Sequence, residues 1–455
     1  MIDEVVYYAV VLIIKKKILT ENLTGLVLLT LSILTAEGQL VDTVKQNEFY
    51  LHAQTTVINQ FKPAFPAEYS GRNSLIPGKE SKMSVTSTLY LGARLWHGGS
   101  LFINPEIAGG SGLSGSVGVA ASTNGETYRI GDPAPQFELA RVFIRQVFSL
   151  SRETLYQEED INSFAGTLPS RYLSLIIGKV CLTDFFDDNT YSHDPRTQFL
   201  SWALMNNGAW DFPANTKGYT ASVILEYVTQ LTELRYGFSL VPEEANGMVM
   251  NWDLNKAGSH TLEYTGHYKL AGRTGTIRLL TFFTRAHMGN YRESIALNPS
   301  APDITATRRY GHNKWGFGIN LEQAVKDNLG LFFRASWDDG NNETWAFTEI
   351  DRTASIGISA SGSRWKRKND RLGLDYVISG ISRPHRDYLQ AGGYGFILGD
   401  GRLNYSPEQL AELYYTLELT KNIYVSGTCQ FILNPGYNKD RGPVSVFSVR
   451  IHVVI

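Results

Sequence analysis

Several groups of residues in this 455-residue chain are of types that do chemistry. Gly110-Ser111-Gly112-Leu113-Ser114-Gly115 has the G-x-G-x-x-G spacing, and Asp132 lies downstream at about the interval a ribose-binding carboxylate keeps in a dinucleotide fold. That fold needs a strand before the glycines and a helix after them. Here Pro105 interrupts the preceding segment and Pro133 and Pro135 break any helical continuation, so a loop over or into a pore is the better reading. Asp184, Asp187, Asp188 and Asp194, with Asn189 and His193, supply enough oxygen for a hard cation. Their spacing is not that of an EF-hand and no glycine makes its turn, so we expect a solvated, internally bonded loop and assign no metal. Ser259-His260 would suit a hydrolase, but no G-x-S-x-G elbow accompanies it. His52, His260 and His452 fall on the polar faces of strand-like segments. No catalytic residue and no cofactor is assigned.

Charged residues in alternating patterns say more. Arg141 and Arg145 alternate with Ala140, Val142 and Ile144; Glu349 and Asp351 alternate with Thr348 and Ile350; Arg334 and Asp338 share a face. Glu226, Arg235, Asp375, Glu412 and Glu418 obey the same rule.

The elements that carry them alternate at period 2, the signature of strands with two unlike faces. Phe49, Leu51, Ala53, Thr55 and Val57 interleave with Tyr50, His52, Gln54 and Thr56. Trp315 to Glu322, Leu331 to Asp338 and Phe447 to Ile455 repeat the pattern. Further segments of about ten residues, the length of a tilted transmembrane strand, begin near Val85, Leu101, Leu139, Tyr172, Thr220, Leu234, Met248, Thr261, Ile277, Ala354, Arg371, Glu412 and Tyr424. Soluble strands are usually about 5–6 residues. Aromatic residues make up 12% of the chain, as the interfacial girdles of a membrane barrel require. The expected fold is therefore all-β, a transmembrane antiparallel β-barrel. Seventeen segments are found, an odd number that a single-chain barrel avoids; chain length per strand gives sixteen, with eighteen as the fallback. An Arg or Lys on the lipid face costs about 2–4 kcal/mol at the midplane. The charged set is accordingly expected to line a lumen, where mixed signs set up a transverse field suited to neutral polyhydroxylated solutes. The competing expectation is that these charges pair with each other merely to fill the barrel.

Lys15-Lys16-Lys17, the apolar run Leu23–Leu34 and the small residues after it read as a secretory signal over residues 1–38, leaving 39–455 as one barrel domain. The apolar stretch Val5–Ile14 ahead of the lysines suggests that the true start lies near Ile14. With 42 basic and 44 acidic side chains the net charge is −2, and no basic stripe makes a case for nucleic acid. Two cysteines, Cys181 and Cys429, exclude a disulfide scaffold.

The runs Gly178-Lys179-Val180, Asp184-Phe185-Phe186-Asp187-Asp188-Asn189 and Asp194-Pro195-Arg196-Thr197-Gln198-Phe199 resemble the carbohydrate-selective porins of Gram-negative outer membranes. So do Gly318-Ile319-Asn320-Leu321-Glu322-Gln323, Leu331-Phe332-Phe333-Arg334, Gly399-Asp400-Gly401 and Glu412-Leu413-Tyr414-Tyr415. Gln430-Phe431-Ile432-Leu433-Asn434-Pro435-Gly436-Tyr437-Asn438 is the most specific piece. The resemblance implies sixteen antiparallel strands, an eyelet narrowed by inward loops and charged side chains, and passive uptake of mono- and small oligosaccharides. It brings Lys179 into the candidate lining beside the residues above. Tyr90 and Tyr414 are candidates to stack on sugar rings, whereas Trp337 reads as lipid-facing. Expected partners are carbohydrate solutes, outer-membrane lipid and the barrel-assembly machinery, although such barrels commonly end in an aromatic residue and this chain ends in Ile455. A rim hydrolase and a non-conducting structural barrel are the alternatives. Monomer and trimer are both open.

Overall fold

Alternation along the chain becomes closure in space. The computed structural model describes residues 48–127 and 134–455. Asp132, Pro133 and the whole segment read as an export signal lie outside the described residues. The strands are β1 (Phe49–Lys62), β2 (Glu80–Trp96), β3 (Gly99–Gly110), β4 (Gln136–Ser149), β5 (Thr154–Gln157), β6 (Gly166–Pro169), β7 (Tyr172–Val180), β8 (Thr220–Val228) and β9 (Thr232–Ser239). They continue as β10 (Gly258–Leu270), β11 (Arg273–Arg285), β12 (Asn313–Lys326), β13 (Leu329–Asp338), β14 (Arg352–Gly362), β15 (Arg367–Gly380), β16 (Glu408–Thr420), β17 (Ile423–Leu433) and β18 (Val444–Val454). All except β5 and β6 form one closed antiparallel barrel of sixteen strands, sealed where β1 pairs with β18 (Val57 opposite Ile451).

Sixteen of the seventeen alternating segments map one to one onto barrel strands, which retires the eighteen-strand fallback. The segment near Met248 is the extra one. It lies in the β9–β10 connection, where the Asn251 and Asp253 side chains accept from backbone two residues on and turn the chain. Turns at 97–98, 229–231, 271–272, 327–328, 363–366 and 421–422 gather at one end, with both Phe49 and Val454. Seen as an outer-membrane barrel, that end is periplasmic and the long connections are extracellular.

The burial pattern is inverted relative to a soluble sheet. Outward Leu51, Phe317, Leu374 and Val449 are exposed, while the core lies inside the barrel. There Val377, Leu410, Tyr414, Ile432 and Val446 of the wall meet Leu113, Phe199, Leu204, Ile397 and Tyr437 of the inward-folded long connections. Close approach is possible because the wall lacks side chains at chosen points. A Cβ on Gly330 would lie 2.0 Å from the Tyr191 ring, and one on Gly373 would lie 2.3 Å from Tyr414.

Candidate functional site

The loops fill the barrel unevenly, leaving a cavity of about 550 Å³ lined by residues of β1, β2, β4, β8 and β9. Strand alternation aims Arg141 and Arg145 of β4, Glu226 of β8 and Arg235 of β9 into it. Arg141 donates through Nε and Nη2 to Asp184, at 2.5 and 2.7 Å, a two-pronged geometry that fixes both groups. Arg145 Nη2 reaches Glu226 Oε2 at 3.2 Å, and Glu226 Oε1 accepts from Arg235 Nε at 2.9 Å. Arg235 also pairs with Glu233 and, at 3.7 Å, with Glu263. The result is a rail of alternating sign along one wall. Lys179 stands one link behind, its ammonium 3.3 Å from Glu138, whose other oxygen meets cavity-lining Lys217.

The opposite wall is built by the connection 181–219. Its Arg196 donates to Glu126 at 3.0 Å and to Glu106 at 3.2 Å, and its Nη1 reaches the Tyr90 hydroxyl at 3.1 Å. Burial pushes the Glu126 carboxyl up, against the pull of Arg196. Burial would also raise Asp188, but His193, Arg278 and Arg235 hold it below the usual carboxylate range. Sequence reading misses Arg196, although it lies within one of the runs that carry the family resemblance; no alternation marks a loop residue. It also misses an aromatic stack. Phe347 lies 4.4 Å from Trp202 and 4.4 Å from Phe212, with interplanar angles of 13° and 21°. A left-handed backbone at Phe347 (φ 54°) is rare for so bulky a residue. It is imposed by neighbours: Asp211 accepts from the Trp345 and Ala346 amides and Thr348 donates to the Gly208 carbonyl. Trp202 and Phe212 line the cavity.

Six other inward charges are buried, and all but Asp375 meet loop backbone instead. Arg334 donates to the carbonyls of Leu204 (2.9 Å), Ser192 (2.7 Å) and Asp187 (3.1 Å) and pairs with the Asp187 carboxylate. Glu412 accepts from the Leu200 and Ser201 amides. Asp338 accepts from Gly340 N and faces Lys314 at 3.7 Å; Asp375 is buried beside Gly357. Glu349 and Asp351 are not strand residues: they precede β14 in the connection 339–351. Glu349 accepts from the Ile397 and Leu398 amides, and Asp351 from Ser382 N and His385 Nδ1. Glu418 sits half-buried at the short-turn end, bonded to Asn369 and away from the cavity.

Three further expectations are corrected. Tyr414 faces inward but is sealed under Phe199, and Tyr90, although it borders the cavity, is buried with its hydroxyl held by Arg196, so no solute can stack on either ring. His260 lies on the outer face with Phe238 and Tyr236, while Ser259 points inward to Thr284, so neighbouring residues on one strand look in opposite directions. Cys181 borders the cavity and Cys429 is exposed on the outer face; both are free. The aspartates weighed as cation ligands take separate partners: Arg141 for Asp184, Arg334 for Asp187 and Arg278 for Asp188. The glycine-rich run enters the barrel interior, with Leu113 in the core and Ser114 bonded to Glu80.

Comparison with known families places residues 72–455 under the model described as carbohydrate-selective porin, OprB family. Among solved structures, the high-pH form of OprB from Pseudomonas putida superposes with a TM-score of 0.66 at 15% identity, over 90% of this chain and 94% of that one. The outer-membrane channel DcaP of Acinetobacter baumannii gives 0.51 at 10% identity, over 90% and 97%. A comparison with curated proteins finds no match.

Proposed function

The chain belongs to the carbohydrate-selective porin family, OprB, and on that premise we propose that its solutes cross through the one-sided cavity beside β1, β2, β4, β8 and β9. It is an integral outer-membrane channel for passive diffusion of carbohydrates. The finer reading is that monosaccharides and small oligosaccharides pass between the charged rail and the partly exposed Trp202, which Phe347 and the buried Phe212 back. One observation carries it: Arg141, Arg145, Glu226 and Arg235 all have an opposite charge within 3.2 Å. A paired rail presents many donors and acceptors but little net field. Such a lining replaces part of a neutral solute's hydration without trapping an ion, and binding stays weak enough for release. The apolar ring face opposite complements the C–H face of a pyranose. Outer-membrane lipid meets the exposed aliphatic surface, and barrel-assembly machinery is the expected partner in its insertion. The mature barrel is taken to run from residue 39, after removal of 1–38.

Swelling of proteoliposomes across pentoses to trisaccharides, with linear polyols as size controls, tests this reading. Sugars should enter faster than polyols of equal size. Arg141→Ala with Arg145→Ala should raise conductance, shift selectivity towards cations and blunt the sugar preference, because two positive groups leave the rail. Unchanged conductance and selectivity in that double variant would remove the rail from the constriction. A folded wild-type barrel that never swells would favour the structural, non-conducting reading.

A further inference from the structure

The connection 150–171 is out of place. It joins β4 to β7 at the short-turn end, where the neighbouring connections are tight turns, yet it carries its own two-stranded hairpin, β5–β6. The hairpin does not hang free. Phe164 is buried in an aromatic socket, 4.8 Å edge-on to Tyr50 and 5.8 Å from Phe102, with the Arg94 guanidinium 4.6 Å over its ring. The socket exists because Gly92 has no side chain: a Cβ there would lie 2.3 Å from the Tyr50 ring. Arg94 also donates to the Ala165 carbonyl at 2.9 Å, His52 meets Glu159 at 2.9 Å, and the amides of Asn104 and Asn162 bond each other at 2.9 and 3.0 Å.

Those contacts hold the tip over the cavity. Gln157 and the residues 160–163 belong to the cavity lining, and Ile161 keeps 44% of its surface exposed there. Behind it a gap of about 50 Å³ separates the hairpin from β2–β4, so it spans the mouth like a strut rather than lying flush on the wall. The left-handed turn residue Asn162 (φ 55°) gives the tip the geometry that lets its amide reach Asn104.

We propose that the β5–β6 hairpin is an exit filter: a second constriction, at the periplasmic mouth, whose tip sets the largest sugar released. Phe164 is its positioning residue and Ile161 its size-determining one. The proposal rests on the reading of the cavity as the solute passage, and it is separate from the charged rail, which no residue of the hairpin supplies.

The test uses the full chain in liposomes and planar bilayers. Replacing residues 153–168 by Asn-Gly should move the sugar cut-off up by at least one ring and raise single-channel conductance. Phe164→Ala should do the same, and Phe164→Leu, which keeps an apolar peg, should restore the original cut-off. Ile161→Trp should act the other way and lower the cut-off. Heat-modifiable migration checks that each barrel is folded. A folded hairpin-less barrel with an unchanged cut-off overturns the filter. If the wild-type chain passes no sugar, the passage reading fails; the hairpin then stands as a plug if its removal admits sugars, and falls too if the channel stays shut.

Discussion

On β4, β8 and β9 the inward charges meet one another beside the cavity; on β13 and β16 they lie against loops that fill the barrel. The spacing along the strand is the same in both regions. The partner is different. Arg145, Glu226 and Arg235 satisfy each other side chain to side chain and leave spare capacity facing the cavity. Arg334 and Glu412, with Glu408, Asp211 and Glu349 beside them, bind backbone. Each of these four carboxylates accepts from two successive amides of a loop: Leu200–Ser201, Ala120–Ala121, Trp345–Ala346 and Ile397–Leu398. Consecutive N–H groups form a small anion-binding concavity, so a carboxylate of the wall (Glu408, Glu412) or of another inward loop (Asp211, Glu349) fixes a loop without a complementary side chain. One device thus gives a solute rail on one side and loop clamps on the other.

The sharpest way to break this distinction is to delete one arginine from each side. Arg334→Ala leaves the fully buried Asp187 carboxylate without its countercharge and unties three loop carbonyls. Removing one partner of a buried pair costs about 3–5 kcal/mol. Arg145→Ala leaves the buried Glu226 still paired with Arg235, so no charge is orphaned and its cost should be smaller. Thermal unfolding in detergent should show a large loss for the first and little for the second, with noisier conductance only in Arg334→Ala as the connection 181–219 loosens. Equal losses would mean that the two sides are not physically different.

Sequence alone does not draw that distinction, and the reason is specific. Alternation tells which way Arg141, Arg145, Glu226, Arg235, Arg334, Asp338, Asp375 and Glu412 point, but not what occupies the space they point into. It is enough for the sixteen barrel strands, because an outward aliphatic every second residue is a local property. It fails for β5 and β6, four-residue strands too short to show a period. It also fails for Glu349 and Asp351, which alternate by accident in a loop. His260 misleads because Ser259, Thr261 and Thr265 make the inner face of β10, leaving a histidine among aromatic residues outside. A usable signal is present for the filled side. Gly318, Gly330, Gly357 and Gly373 sit at inward positions, each against a side chain that leaves no room for a Cβ: Asn207, Tyr191, Phe332 and Tyr414. Glycine on a polar face marks where something packs.

That signal can be sharpened by adding one methyl group. In Gly373→Ala the new Cβ meets Tyr414 Cε1 at 2.3 Å and Phe199 Cζ at 2.9 Å, so the ring must leave the wall. Overpacking of this kind costs about 1–3 kcal/mol. Gly427→Ala on the outer face meets nothing within 4 Å and should be neutral or up to about 1 kcal/mol stabilising, since glycine inside a strand is intrinsically unfavourable. Melting temperatures of the two variants should move in opposite directions or differ clearly; a matched response would take the packing role away from the inward glycines.

The smallest expected effect belongs to the open side and concerns protons. Glu126 borders the cavity opposite the rail, and burial raises its carboxyl above the ordinary range even with Arg196 at 3.0 Å. A raised carboxyl is the first to be neutralised as pH falls, so the cavity loses a negative charge before an ordinary glutamate, at about pH 4.3, would respond. Arg196 still has Glu106 and remains charged, so the local balance turns positive. Reversal potentials in a salt gradient should therefore drift towards anion preference as the pH falls, with the drift setting in above the usual glutamate range. Glu126→Gln should hold the acid-side value throughout and lose most of the drift. An identical drift in Glu126→Gln would place the titrating group elsewhere and leave Glu126 as a fixed partner of Arg196, closer in kind to the clamps than to the rail.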